Sequence, residues 1–433
     1  MTPAARFSAA VALLAEMEGQ GRRPADAIAN DFFRARRYIG SGDRRAVAER
    51  AWGVVRERML LDWHLARAGG RPTPRLLAAA HARIIEHEEP RDIAWIFSGE
   101  RFAEPAMTQE ETRVIAALRP PLLPPGMPEP VRLNVPEWAL PGFRARFGEA
   151  IEKAARAMTV PAPLDLRVNL LRGTRDAARM ALGAEGIEAV PTPFSPWGLR
   201  IADRRPVLAT EPFRSGLIEV QDEGSQLIAL LADAKPGMRV ADYCAGAAGK
   251  TLAMAATMAN RGRITACDVS EPRLTGAAKR LRRGGVDNAE LHLLTAGDRW
   301  AKRRAATFDR VLVDAPCTGT GTWRRNPDAR LRMGPTDLGE LLRKQSEILD
   351  AASSLVRPGG RLIYATCSVL PEEDEGQVDA LLQRRPEFQV VPLARAWAES
   401  GAAGPPPGDG PFMALSPHVH DTDGFFCAVL ERG

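Results

Sequence analysis

From about residue 236 onward the chain alternates short β-branched runs with longer amphipathic ones, and this alternation constrains its fold more than any other feature. The runs MRVADY, RITACD, AELHLL, FDRVLVD and RLIYAT read as strands, whereas KTLAMAATMAN, PRLTGAAKRLRR and LGELLRKQSEILDAASSLV read as helices. Strands joined by helix-length crossovers pair in parallel, with helices on both faces, so the pattern predicts a doubly wound α/β sheet. The tail GFFCAVLERG (424–433) is an apolar strand suited to a late edge position. Ligands of such sheets bind beyond the carboxyl ends of the strands, so the residues that end each run are the first candidates for function.

Upstream the pattern differs. AAVALLAEMEG, ADAIANDFFRARRYI, DRRAVAERAWGVVRERMLLDWHLARAG and PRLLAAAHARIIEH carry apolar residues at three-to-four spacing and predict helices over residues 1 to about 115. Gly40-Ser41-Gly42-Asp43 reads as a turn with Asp43 as the cap of the next helix, and Gly69-Gly70-Arg71-Pro72 as a stop. The proline-rich span PPLLPPGMPEP (120–130) cannot continue a helix and reads as a linker. Within about 140–225, PLDLRVNLL (163–171) alternates as a strand, and a helix ends near Gly183 and Gly186. The expected organisation is an all-α domain over 1–118, a linker over 119–135, a small α+β domain over 136–225 and an α/β domain over 226–433, with ESGAAGPPPGDGP (399–411) a flexible loop.

Composition excludes some classes. At 433 residues, 45% hydrophobic and 26% charged, the chain is ordinary for a globular protein, and no apolar run approaches the roughly 20 residues of a bilayer span. Acidic residues soon follow the apolar N-terminal stretch, which argues against a leader peptide. The five cysteines are odd in number, widely spaced and without a CxxC pair, so neither a disulfide framework nor a zinc site is supported. A reduced, cytoplasmic protein without a metal is expected, and no motif demands more than a monomer. The net charge of +5 is modest, but arginine clusters at Arg34, Arg36 and Arg37, at Arg280, Arg282 and Arg283, and at Arg324, Arg325, Arg330 and Arg332, a pattern compatible with nucleic acid and with a solvated surface.

Two constellations carry chemistry. The first strand runs into Asp242-Tyr243-Cys244-Ala245-Gly246-Ala247-Ala248-Gly249-Lys250-Thr251 and then a helix. Small residues there let a ligand approach the backbone at a helix N-terminus, yet the spacing fits neither a P-loop nor GxGxxG. Asp268 ends the second strand, where a carboxylate can bind ribose hydroxyls, and Asp298 follows the third, suited to an adenine amino group. Any one of these carboxylates could equally be a helix cap. In succession they point to an adenosine-containing cofactor, S-adenosylmethionine in preference to NAD. The second constellation is Asp314-Ala315-Pro316-Cys317 and, fifty residues on, Thr366-Cys367-Ser368, each closing a strand. Two thiols at one sheet edge suggest covalent chemistry on an electrophilic ring, although simple burial is the commonest fate of a free cysteine.

DAPCTGTG (314–321) with TCS (366–368) resembles the RsmB/Sun family of RNA 5-methylcytosine methyltransferases. QDEGSQL (221–227), KPGMRVAD (235–242), RRNPDARLR (324–332), VRPGGRLIYATCSVLPEED (356–374) and DGFF (423–426) are also similar to that family, and DRRAVAERAWGVVR (43–56) resembles its NusB-like RNA-binding domain. The resemblance implies a Rossmann-like class I methyltransferase sheet preceded by a small α+β domain and an all-α NusB-like domain. It implies S-adenosylmethionine held by Cys244 to Lys250, Asp268, Arg273, Asp298 and Asp314. Cys367 would attack cytosine C6, Asp314 would bind or protonate N3, and Cys317 would assist release. Ribosomal RNA is the favoured partner and transfer RNA the second, with Arg324, Arg325, Arg330 and Arg332 candidates for gripping phosphates around an extruded cytosine. DNA cytosine methyltransferases use a Pro-Cys nucleophile, but the thiol in Thr366-Cys367-Ser368 and the NusB-like region favour RNA. The cofactor loop departs from the family, with Gly246 for an alanine, Ala247 for a proline and Ala248 for a glycine. A strained loop at Ala248 would make the alternative a weakened paralogue that acts only as an RNA-binding or ribosome-assembly factor.

Overall fold

The computed structural model of the chain describes residues 1–119, 122–201 and 206–433. It divides into two compact units: Met1–Val160 with Trp323–Gly334, and Pro161–Thr322 with Pro335–Gly433. No helix among the described residues is long and apolar enough to cross a membrane.

The larger unit holds two sheets. Strands β1 (Leu164–Val168), β2 (Val190–Pro191), β3 (Gly198–Ile201) and β4 (Ile218–Val220) form an antiparallel sheet in the order β2-β3-β1-β4. Period-two alternation sorts its faces: Leu166 and Val168 pack with Ala178 and Leu182 of the helix Arg175–Ala184, while Asp165 and Arg167 point the other way. Asp165 holds Arg200 through two bonds of 2.7 and 3.0 Å. Arg167 is buried and donates to the Gln221 side chain and to the Gly249 carbonyl. Burial pulls its guanidinium down to about 10.

The second sheet contains β5 (Arg239–Asp242), β6 (Arg263–Asp268), β7 (Ala289–Leu293), β8 (Phe308–Asp314), β9 (Val356–Thr366), β10 (Phe388–Val391), β11 (Met413–Leu415) and β12 (Phe425–Arg432). Its order is β10-β12-β9-β8-β5-β6-β7, with β11 also on β12. Strands β7, β6, β5, β8 and β9 run parallel, and β12 pairs antiparallel to β9 with Phe426 opposite Thr366. This is the doubly wound sheet expected from the alternating runs. The central strands are apolar on both faces because both are covered. Val240, Leu312 and Ile363 pack with the helices Glu223–Leu231 and Gly249–Thr257. Val311, Val313, Leu362 and Tyr364 pack against Leu349 and Ala352 of Pro335–Ser353 and Val378 and Leu381 of Glu375–Arg384. The chain order reverses between β5 and β8, which opens a crevice at their carboxyl ends.

The smaller unit is helical. Its longer helices are Pro3–Gly19, Ala25–Ala35, Ser41–Arg56, Arg58–Arg67 and Pro74–Ile84, around Phe7, Leu13, Phe32, Val47 and Leu61. Asp43 is not the cap expected of it: Gly40 occupies the cap position, and Asp43 in the first turn binds the N-terminal ammonium and Arg6 at 3.0 and 2.6 Å. Pro120 and Pro121 of the proline-rich span lie outside the described residues, and the same span ends in a helix, Glu129–Leu133. The helices Leu140–Phe147 and Ile151–Ala157 belong to this unit, whereas the strands that follow belong to the larger one.

Trp323–Gly334 completes the helical unit. Trp323 stacks on Phe143 at 5.3 Å and meets Trp138 edge-on at 6.5 Å. Arg330 is buried and donates to the carbonyls of Arg56, Asn134 and Met158 at 3.2, 3.2 and 3.3 Å. Desolvation pulls it down to about 10. This corrects the expectation that Arg330 grips phosphate: it is buried inside the helical unit with its terminal nitrogens on backbone carbonyls. Arg332 pairs with Asp328 at 2.8 Å, and Arg324 is buried. Replacing Arg330 with methionine takes the guanidinium from the Asn134 and Met158 carbonyls, while the Arg56 carbonyl keeps the Asn134 side-chain amide at 2.7 Å, and denaturant unfolding should show a loss of roughly 3 kcal/mol.

Candidate active site

A cavity of about 840 Å³ opens at the carboxyl ends of β5, β6, β8 and β9. Its wall includes Cys244, Ala245, Gly246, Ala247, Gly249, Lys250, Asp268, Arg273, Asp314, Cys317 and Cys367. Ala248 lies beneath the loop, buried against Leu252, Ala277 and Leu281. Asp298, like Ala248, is nominated by the sequence but does not line the cavity. Its carboxylate takes His292 at 2.6 Å and the Trp300 amide at 2.8 Å, and those bonds, the His292 one first, hold it below the usual carboxylate range. Thr295 and Ala296 line that wall instead.

The glycine-poor loop is shaped by four side chains. Asp268 accepts from the Gly246 amide through Oδ2 and from the Ser270 amide through Oδ1, both at 2.8 Å. Each oxygen keeps acceptor capacity for a ribose hydroxyl. Arg280 donates to the Ala247 carbonyl at 2.7 Å and pairs with Glu219 of β4 at 3.0 Å. Arg167 takes the Gly249 carbonyl, and Thr251 donates to Asp242 Oδ2 at 2.6 Å. Gly246 and Ala248 both adopt left-handed backbone, at φ +54° and +61°. For glycine that is free; for Ala248 it costs about 1–2 kcal/mol. Burial of its methyl group offsets part of that, so the strain is far too small to abolish a cofactor site.

Asp242 lines the cavity, is buried, and its Oδ1 finds no hydrogen-bond partner among the described residues. Burial raises its carboxyl to about 6, with Asp314 and Asp268 adding and Thr251 and Lys250 opposing. An orphaned buried carboxylate oxygen is matched by a cationic donor, such as the ammonium of an amino-acid moiety. With Asp268 for a ribose and Val269, Leu294 and Ile348 as apolar wall, the donor set fits S-adenosylmethionine. Lys250 is also buried; although desolvation works against its charge, the Asp314 carboxylate 2.6 Å away keeps its ammonium above the usual range.

The two thiols meet at the end of the cavity nearest β8 and β9. Asp314 stands opposite Ala365 across the strands, and the Sγ atoms of Cys317 and Cys367 are 3.4 Å apart. The hydrogen bond to Cys367, then burial, then the charge of the Cys367 sulfur and after it that of Glu373 push the Cys317 thiol well above its ordinary value. Burial also raises Cys244, beside Asp314 and Asp242, so it is no ready thiolate. The Cys367 carbonyl accepts from Gly321, whose missing side chain is required: a Cβ there would lie 2.1 Å from the Gly424 carbonyl oxygen. Sequence reasoning passed over Gln221, Ser225 and Lys344 in the wall and Gln345 and Glu373 behind it, and named Arg280 only as part of a basic cluster. QDEGSQL and LPEED flagged two of those segments, without the residues' roles.

A doubly wound sheet of this order, with a ribose-type carboxylate after its second strand and a small-residue loop after its first, defines an S-adenosylmethionine-dependent methyltransferase. Residues 229–431 match the family described as 16S rRNA methyltransferase RsmB/F, and residues 135–208 match the ferredoxin-like domain of RsmF/B-like methyltransferases. The ribosomal RNA small subunit methyltransferase B of Xylella fastidiosa strain 9a5c is 39% identical over 300 residues, which cover 69% of this chain and 68% of that protein. The probable ribosomal RNA small subunit methyltransferase B of Bacillus subtilis strain 168 is 32% identical, over 69% and 66%. Among solved structures, PH0851 aligns over 100% of this chain and 99% of its own with a TM-score of 0.79 at 26% identity. A methyltransferase homologue from Pyrococcus horikoshii aligns over 72% and 100% with a TM-score of 0.61 at 29% identity. The chain belongs to the RsmB/F family of 16S ribosomal RNA methyltransferases.

Because Asp242 ionises near pH 6 and would pair with a cation, cofactor binding should tighten as pH rises through that value and then level off. Calorimetric titration with S-adenosylmethionine should give about tenfold weaker binding at pH 5 than at pH 7, and Asp242→Asn should weaken binding and flatten this dependence.

Proposed function

We propose that the protein methylates C5 of a cytosine in small-subunit ribosomal RNA, through a covalent bond from Cys367 to C6. The observation that carries this reading is the pair of sulfurs 3.4 Å apart beside Asp314 in one cavity. Cytosine C5 is a poor nucleophile, so a thiolate adding to C6 converts the ring to an enamine whose C5 is reactive. Asp314 serves the ring nitrogen N3. Its carboxylic acid form gives a proton to N3 as the thiolate adds to C6, and the carboxylate left behind is balanced by the Lys250 ammonium 2.6 Å away. S-adenosylmethionine, when bound, supplies a methyl group on a positively charged sulfur.

Release needs the C5 proton to leave and the C6–Sγ bond to break. Cys317, whose surroundings favour the thiol, donates a hydrogen bond to the departing Cys367 sulfur. The family resemblance assigns attack to Cys367 and release to Cys317, and the short separation of the sulfurs supports a pair in which one attacks while the other stays protonated beside it. The base must leave any stack to reach the cavity, so an unpaired or extruded cytosine is the expected target, and the helical unit is the expected RNA-binding part.

Incubated with unmodified 16S ribosomal RNA and S-adenosylmethionine, the wild-type protein should yield 5-methylcytidine on nucleoside mass spectrometry. Cys367→Ser should abolish turnover by at least about a thousandfold and form no adduct. Cys317→Ser should accumulate an RNA–protein adduct that survives denaturing electrophoresis. If Cys367→Ser still forms the adduct, the two roles are reversed.

A further inference from the structure

Glu373 has no exposed surface, and among the described residues no Lys or Arg pairs with it. Burying a carboxylate without a cation is costly, and a fold that needed only packing there would be served better by an apolar side chain. Three donors converge on it: the Thr318 amide at 2.8 Å, the Thr318 hydroxyl, and Gln345 Nε2 at 3.0 Å. Gln345, itself fully buried in the middle of Pro335–Ser353, uses the same nitrogen to reach the Pro316 carbonyl at 3.0 Å. Pro316 and Thr318 flank Cys317, so the peptide groups on both sides of that cysteine are fastened to one Glu–Gln pair. The Glu373 backbone is held in turn, its carbonyl accepting from the Tyr364 hydroxyl of β9 at 2.6 Å.

We propose that Glu373, acting with Gln345, is a positioning residue for the release half of the reaction: it fixes Cys317 against the Cys367 sulfur. The assignment rests on the covalent reading above. Glu373 serves Cys317 twice over. Its hydrogen bonds set where the thiol stands, and its negative charge faces that thiol together with the Cys367 sulfur, disfavouring a second anion at the site. Lys250, Asp242 and Asp314 lie on the cofactor side, where their bonds to one another and to Thr251 involve neither Glu373 nor Gln345.

The test compares formation and decay of the RNA adduct in Glu373→Gln, Gln345→Leu and Cys317→Ser proteins, with unmodified 16S ribosomal RNA and S-adenosylmethionine as probes. Glu373→Gln should form the adduct at the wild-type rate and release it about tenfold or more slowly, with unchanged S-adenosylmethionine affinity. Gln345→Leu, which keeps the charge and loses the Pro316 bond, should slow release by a smaller factor, and Glu373→Asp should restore part of it. Release at the wild-type rate in Glu373→Gln, or formation and release slowed by one common factor, overturns the proposal. Should Glu373→Gln fail to fold, the Gln345→Leu protein decides by the same criterion. Failure of Cys317→Ser to accumulate adduct would instead overturn the covalent reading itself.

Discussion

Strands β8 and β9 pair in parallel with Asp314 opposite Ala365, and the whole site hangs on that register. Side chains alternate across a sheet, so a slip of one residue would turn Asp314 into the packed layer that holds Val313 and would part the two cysteine loops. The register is defended from both faces. Val313 and Tyr364 are buried on one side and Leu312 and Ile363 on the other, with no exposed surface on any of them. Two loops then leave the sheet side by side and are stitched across: Gly321 donates to the Cys367 carbonyl, Val369 to the Thr320 hydroxyl, and Gly424 to the Gly321 carbonyl. The thiols owe their 3.4 Å separation to this lattice of backbone and hydroxyl bonds more than to any attraction between sulfurs.

The same economy governs the cofactor side. A glycine-rich loop can bend wherever the ligand requires, whereas this one is alanine-rich and is held by side chains from β4, β6 and the small sheet: Arg280 with Glu219, Asp268, and Arg167. The ferredoxin-like sheet is thus part of the cofactor site's scaffold. Its polar face reaches the loop, and its apolar face packs its own helix. A positive-φ alanine is tolerated because these fastenings outweigh a strain of about 1–2 kcal/mol.

The central strands were legible in the sequence because burial on both faces demands unbroken apolar runs, and the cysteines because each ends such a run. Helices were legible as segments but not at their joints: the run over 43–69 is two helices that meet at Glu57, and Asp43 serves the first turn where a cap was expected. At Asp298 the sequence could not show the local partners a carboxylate after a strand takes, here His292 and the Trp300 amide. Arg330 misled because arginine reads as surface, and its three carbonyl partners come from far along the chain. Glu373 was invisible for the same reason, its partners being 28 and 55 residues away. Long-range polar bonds leave no periodicity to read.

Trp323–Gly334 belongs to the helical unit although more than a hundred residues of a second unit are spelled out before it. On a ribosome the first ten helices emerge long before the tryptophan that stacks on Phe143 and the arginine that caps Arg56, Asn134 and Met158. The core around Phe7, Leu13, Phe32, Val47 and Leu61 is complete without them, but the Trp138–Phe143 side of the unit stays unfilled until the strand β8 and its cysteine loop have been made. Such long-range closure is slow to form, and it ties completion of the Phe143 side of the helical unit to synthesis of the cysteine loop. A chain cut short before residue 323 would leave Trp138 and Phe143 without the indole they pack on and three backbone carbonyls without the Arg330 guanidinium.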